Sequence, residues 1–251
     1  MVIIMNSISL SFLLTTMAGL STMLGCIPIL INIKNEKKII AGSLSFAAGV
    51  MICVSVIDLV PESISMLENT YNGIITVLLS FSFIMIGMII SSLIDNKLTI
   101  QKNIPLYKVG IISMIAIILH NIPEGIVTFI STTKDISLGI SLCIAIAMHN
   151  IPEGISISIP IYYATKSKGK ALIYTFISGL SETIGAVITY LFLLPFINEV
   201  ILGLLFSLIA GIMLYISFVE LLPTSSSYKE NYITKIFFII GLVFMLLKLF
   251  I

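Results

Sequence analysis

A chain of 251 residues that is 58% hydrophobic and only 10% charged cannot dress a water-exposed surface, since soluble domains carry about 25% charged residues. A net charge of +1 supplies no basic field for nucleic acid, and no Walker motif is present for nucleotide-driven work. The mean hydropathy of +1.18 instead makes the lipid bilayer the natural solvent, and the expected partners are lipid and whatever ion crosses it.

Eight segments reach the roughly 20 apolar residues that a spanning helix needs. They are 7–33, 39–65, 73–94, 105–131, 136–164, 169–194, 198–222 and 232–251. Connections between them are short, so residues 1–251 read as one all-α polytopic membrane domain. The runs are long and continuously apolar, unlike the short alternating strands of a β-barrel, and helices satisfy their own backbone in lipid. The first segment opens on Met1-Val2-Ile3-Ile4-Met5 without a basic side chain and is too long for a signal-peptide core, so it reads as a retained span. Cys26, Cys53 and Cys143 lie in apolar runs with no C-x-x-C spacing and read as small buried hydrophobes.

Charge sets the orientation. The chain has 13 lysines and no arginine. Lys34, Lys37 and Lys38 follow span 1; Lys97, Lys102 and Lys108 surround the connection after span 3; Lys166, Lys168 and Lys170 follow span 5; Lys229 and Lys235 follow span 7. Only Lys134 and Lys248 fall on the opposite side. The positive-inside rule puts the larger group in the cytoplasm, with both termini outside a cell membrane crossed eight times.

Ionisable side chains inside spans are costly and mark function. Six stand out: His120, Glu124, His149, Glu153, Glu182 and Glu220. At about 1.5 Å per residue, His120 lies about 22 Å into span 4, His149 about 20 Å into span 5 from the other face, and Glu182 about 20 Å into span 6. In a core about 30 Å thick, all three approach one middle layer. Met51 on span 2 lies about 18 Å from the inner face by the same rise. Asp58 and Glu62 sit near the outer end of span 2, and Glu220 near the inner end of span 7. Simple solvation of a helix end is the plain alternative for these last three.

Spans 4 and 5 carry the same hexapeptide. In His120-Asn121-Ile122-Pro123-Glu124-Gly125, His and Glu are four residues apart and share a helix face, with Asn121 beside Glu124. Pro123 blocks the bond to the Leu119 carbonyl and is expected to kink the helix, while Gly125 admits a close neighbour. His149-Asn150-Ile151-Pro152-Glu153-Gly154 repeats this on a helix running the other way. The pair suggests an approximate two-fold axis in the membrane plane with a site between the two helices. Two imidazoles, three carboxylates and two amides offer N and O ligands without thiolate, which suits Zn²⁺, Fe²⁺, Mn²⁺ or Cd²⁺ better than Cu(I). Three gathered carboxylates would repel one another without a cation. Met51 is a candidate thioether ligand, with core packing as its plain alternative.

At these residues the sequence resembles the ZIP (Zrt/Irt-like) family of metal-ion transporters, in its bacterial broad-range branch, and the resemblance runs the whole chain. Supporting matches are Met23-Leu24-Gly25-Cys26-Ile27-Pro28, Ser45-Phe46-Ala47-Ala48-Gly49-Val50-Met51, Ser178-Gly179-Leu180-Ser181-Glu182, and Ala210-Gly211-Ile212-Met213-Leu214-Tyr215 followed by Glu220-Leu221-Leu222-Pro223. The resemblance implies eight helices arranged 3+2+3, the outer triplets related by inversion. Within this chain, Gly49-Val50-Met51 leading to Asp58-Leu59-Val60-Pro61 echoes Gly211-Ile212-Met213 leading to Glu220-Leu221-Leu222-Pro223. It also implies a binuclear centre. One metal would use His120, Glu124 and Glu153, with Met51 as a further candidate. The other would use Asn121, Asn150 and Glu182, bridged by Glu124 and Glu153. His149 holds the first motif position in span 5. The chain departs from the family at Asn150, often Asp, and at Thr183, often Pro, and it has no His between Ser92 and Lys108.

The implied function is uptake of divalent metal into the cytoplasm, Zn²⁺ above all, with Fe²⁺, Mn²⁺ or Cd²⁺ tolerated. The metal is cargo, no catalytic cofactor is expected, and a homodimer is compatible with the sequence. The competing reading is an intramembrane metalloprotease. Such an enzyme would place Glu beside its first His ligand, where this chain has Asn121 and Asn150.

Overall fold

The computed structural model describes residues 2–31, 35–97, 105–193, 196 and 198–246, and every regular element among them is helical. Seven helices are long and apolar enough to cross a bilayer: α1 (Ser7–Leu30), α2 (Glu36–Glu68), α3 (Gly73–Lys97), α4 (Leu106–Lys134), α5 (Ile136–Thr165), α6 (Lys168–Leu193) and α7 (Glu199–Ser227). The eighth, α8 (Asn231–Leu246), is shorter. The last expected span runs to residue 251, and 247–251 lie outside the described residues, as do Lys34, Lys102, Lys248 and 98–104. The polytopic helical architecture is the one expected from the sequence.

Helix starts are written locally. Asn35 Oδ1 accepts from the Lys38 N–H at 3.3 Å, Asp135 Oδ1 from the Ser137 N–H at 2.8 Å, Ser167 Oγ from the Lys170 N–H at 3.3 Å, and Asn198 Oδ1 from the Ile201 N–H at 2.9 Å. Each side chain satisfies a backbone donor that the first turn leaves open, worth about 1 kcal/mol.

The internal echo between α2 and α7 becomes a shared irregularity. Each widens into a π-helical turn, Ser55–Leu59 in α2 and Ile216–Leu221 in α7, just before Pro61 and Pro223. A proline cannot donate its N–H, and a widened turn is one way the preceding backbone accommodates that. Matching hydroxyls brace both turns: Ser55 Oγ donates to the Met51 carbonyl and Ser217 Oγ to the Met213 carbonyl, each at 2.8 Å.

Glycines sort the helices into two groups. In the first, α4 and α6 approach until a Cβ on Gly125 would collide with the Glu182 carbonyl, and one on Gly185 with the Ile122 carbonyl. Helices α1 and α5 join the same group. In the second, Gly49 and Gly241 make the same exchange between α2 and α8, as do Gly87 and Gly211 between α3 and α7. Between groups, α2 packs on α5 and α4 on α7. Around the outside, Ile74, Leu78, Phe81 and Ile89 form an exposed apolar row on α3, which lipid would cover.

Candidate metal centre

Both hexapeptides sit inside continuous helices, α4 and α5, which run through Pro123 and Pro152 without interruption. The four-residue spacing puts His and Glu on one face of each, and the two faces meet. His149 Nε2 lies 2.8 Å from Glu124 Oε1, and His120 Nε2 lies 3.3 Å from Glu124 Oε2. One carboxylate therefore spans both imidazoles. His120 Nε2 is also 3.3 Å from Glu153 Oε1, which brings the fourth member of the two motifs against the same imidazole. The ring centroids are 6.1 Å apart. Ligand atoms of His120, Glu124 and His149 all lie within 4.8 Å of one another, a spread that one ion can span.

A second layer forms beside the first. Asn150 Nδ2 donates to the Ala18 carbonyl on α1 at 3.0 Å and to Glu182 Oε2 on α6 at 3.1 Å. Asn121 Nδ2 donates to the Ser178 carbonyl on α6 at 3.1 Å. These backbone acceptors fix which way each amide points, because two oxygens cannot face each other without a proton between them. The amide oxygens are then left over. Among the described residues, Asn121 Oδ1, Asn150 Oδ1, Glu153 Oε2 and Glu182 Oε1 are all buried without a hydrogen-bond partner. A buried unsatisfied acceptor costs about 1–3 kcal/mol. So many acceptors around three carboxylates are what a bound cation would satisfy and a packed apolar core would not tolerate.

One cavity reaches the centre. A cavity of about 570 Å³ runs between the two helix groups and touches Asp58, Glu62, Ser65, Ser131, Glu124 and His149. Glu124 and His149 keep 7% and 5% of their surface exposed, whereas Glu153 and Glu182 have none. The path therefore reaches the first layer from the Asp58 and Glu62 end and stops there. At the opposite, lysine-rich end, Lys108 on α4 pairs with Asp95 on α3. Tyr215 Oη on α7 donates to Asp95 Oδ2 at 3.2 Å.

Seven of the eight site residues expected from the sequence converge: His120, Asn121, Glu124, His149, Asn150, Glu153 and Glu182. Met51 is buried in the apolar core of α2, the helix packed on α5, and the polar contacts above do not include it. Asp58 and Glu62 line the cavity. Glu220 is not a solvated helix end: it is buried, 8% exposed, because the α7 turn that carries it faces the Asp95–Lys108 pair. Sequence spacing missed Asp95, Lys108 and Tyr215, whose partners lie on other helices, and it missed the carbonyls of Ala18 and Ser178.

Comparison with known proteins gives a family and full-length relatives. Residues 99–248 match the family model described as ZIP Zinc transporter. The chain is 41% identical to a zinc transporter ZupT of Streptococcus mutans, over 95% of this chain and 96% of that one. It is 39% identical to a zinc transporter ZupT of Oceanobacillus iheyensis, covering 98% of each. A zinc transporter ZupT of Clostridium perfringens is 38% identical, over 98% of this chain and 96% of that one.

Proposed function

The chain belongs to the ZIP zinc transporter family, and from that premise we propose that it carries Zn²⁺ into the cytoplasm through the centre between α4, α5 and α6. The observation that carries the reading is the convergence of His120, Glu124 and His149 at the end of the cavity. Membership of a transporter family sets the metalloprotease reading aside.

The chemistry follows from the ligand atoms. Asp58 and Glu62 raise the local cation concentration at the mouth. The ion sheds water against Glu124 and His149, the two ligands that keep exposure, and His120 and Glu153 complete a four-ligand N/O set of the kind Zn²⁺ takes. Asn121, Asn150 and Glu182, bridged by Glu124 and Glu153, form the second position, one layer deeper. Other divalent ions that accept imidazole and carboxylate, such as Fe²⁺, Mn²⁺ and Cd²⁺, compete for the same set. Met51 is a further candidate for the first position. All of these ligands but Met51 come from α4, α5 and α6 of one chain, so the centre needs no second copy. A homodimer would sit outside this account.

The direction of transport rests on the family resemblance, and the orientation of the chain on charge. The lysine-rich ends of the helices face the cytoplasm, which puts both termini and the cavity mouth outside. Zinc uptake by cells carrying the wild-type chain or Glu124→Ala tests the function. We expect accumulation that the variant loses. Equal accumulation in cells expressing both chains at equal level would refute it.

A further inference from the structure

The two-fold that relates α4 to α5 extends to α1 and α6. Asn121 Nδ2 reaches the Ser178 carbonyl on α6, and Asn150 Nδ2 reaches the Ala18 carbonyl on α1. Ser181 Oγ donates to the Ser178 carbonyl at 2.5 Å, and Ser21 Oγ to the Ala18 carbonyl at 2.6 Å. Aligned on these pairs, Ala18-Gly19-Leu20-Ser21-Thr22-Met23-Leu24-Gly25 matches Ser178-Gly179-Leu180-Ser181-Glu182-Thr183-Ile184-Gly185. Thr22 falls where Glu182 stands. Packing repeats the correspondence. A Cβ on Gly19 would meet Glu182 Cβ at 2.9 Å, and one on Gly179 would meet Thr22 Cβ at 3.3 Å. Gly125, next to Glu124, lies against the Glu182 carbonyl, and Gly154, next to Glu153, lies against the Thr22 carbonyl. Both Thr22 and Glu182 are fully buried.

We infer that Thr22 is the eighth position of the metal centre, the counterpart of Glu182 across the two asparagines, and that its missing carboxylate sets how firmly the inner ion is held. Glu182 is long enough to reach the Asn150 amide at 3.1 Å. Thr22 is shorter and turns its hydroxyl back to the Gly19 carbonyl at 2.6 Å. Asn121 Oδ1 stays without a hydrogen-bond partner. The local helix differs in step, being 3₁₀ over Ser21–Cys26 and α over the Glu182 stretch. The repeat thus has four corresponding positions, counting Glu124, Glu153, Glu182 and residue 22, and carries a carboxylate at three of them. Two divalent ions against three carboxylates leave one positive charge over, whereas a fourth carboxylate would balance them. A transport site must bind well enough to load and weakly enough to release, and the neutral side chain at residue 22 serves release. This rests on the transport reading above.

The test uses the purified full-length protein, zinc titration calorimetry, and zinc flux in reconstituted vesicles. Glu182→Thr should weaken binding by about tenfold or more, the scale of losing one buried charge contact. The exchange Thr22→Glu with Glu182→Thr should recover at least half of that loss on a logarithmic scale, which a purely structural threonine would not do. Thr22→Asp alone should bind zinc about tenfold tighter than wild type and carry it more slowly, and it should bind tighter than Thr22→Asn, which has the same shape without the charge. Should Thr22→Asp not survive purification, recovery with zinc present replaces affinity as the readout, since an ion that binds only the folded form stabilises it. Rescue by zinc of the Asp variant above the Asn variant supports the assignment, and equal recovery overturns it. A folded Thr22→Asp that binds and carries zinc like wild type, with no recovery in the exchange, also overturns it. If instead Glu182→Thr itself binds zinc like wild type, the proposed inner position of the centre fails.

Discussion

The two groups of helices are held together in the same way and differ in what they do with buried polar atoms. Each has glycines that let backbone carbonyls of a neighbouring helix approach. In the group of α2, α3, α7 and α8 two sets of interface hydroxyls satisfy one another, while Thr76 Oγ1 on α3 has no partner among the described residues. Ser207 Oγ lies 2.5 Å from Ser63 Oγ and 2.7 Å from Ser80 Oγ, and Ser225 Oγ lies 3.0 Å from Thr234 Oγ1. In the group of α1, α4, α5 and α6 the carboxylate and amide oxygens of Glu153, Glu182, Asn121 and Asn150 are left over. These framework hydroxyls are paired within the protein, and the oxygens of the centre are not. The contrast separates framework from site more sharply than the overall distribution of hydrophobicity does.

The comparison breaks most severely at the bridging carboxylates. Glu124→Gln or Glu153→Gln keeps the shape and removes a charge from a buried set. Zinc affinity should fall by roughly two orders of magnitude, within the 2–5 kcal/mol that unpairing a buried charge costs, while the melting temperature of the metal-free protein should hold or rise. Calorimetry and a thermal melt on the same samples check this. Because metal and protons compete for these atoms, wild-type affinity should also fall as pH drops.

Next come the glycines. Gly211→Val drives a side chain into the Ile84 carbonyl, and overpacking costs about 1–3 kcal/mol. It should lower the melting temperature and leave zinc affinity of the folded fraction near wild type. Gly125→Val presses on the Glu182 carbonyl and should lower both. Equal affinity in the two variants would dissolve the distinction between framework and site.

A smaller effect is expected where the groups meet at the lysine-rich end. Lys108→Met leaves Asp95 and Glu220 without their cation and should loosen that end. In a background without native cysteines, Gly169→Cys, at the exposed start of α6, reports sidedness. It should be shielded from an impermeant thiol reagent added outside intact cells, and rapid labelling there would reverse the orientation. The smallest effect belongs to the mouth. Asp58→Asn with Glu62→Gln should slow uptake only at low metal and low ionic strength, because salt screens exposed charge. No change under those conditions would remove their role.

The sequence carries the span pattern and most of the centre, for separate reasons. A charged residue in a long apolar run is conspicuous, and the doubled hexapeptide fixes which faces of α4 and α5 meet. Glu182 could be placed by depth alone. The position of Glu220 near the inner end of span 7 was legible, but its burial was not, because a count along one helix does not show what other helices bring beside it. Met51 illustrates the same limit: in a uniformly apolar helix no periodicity says which face a thioether takes. The repeat containing Thr22 was legible in Gly19-Leu20-Ser21 and Gly179-Leu180-Ser181. The position that matters carries no charge there, so it gives no signal in the apolar run.

The most direct test of the metal centre is zinc K-edge absorption on the zinc-loaded protein. The account requires a first shell of nitrogen and oxygen at about 2.0–2.2 Å, with the outer scattering of imidazole, and loss of part of that imidazole signal in His120→Ala. A shell without imidazole, or an imidazole signal unchanged in His120→Ala, would contradict the centre described here.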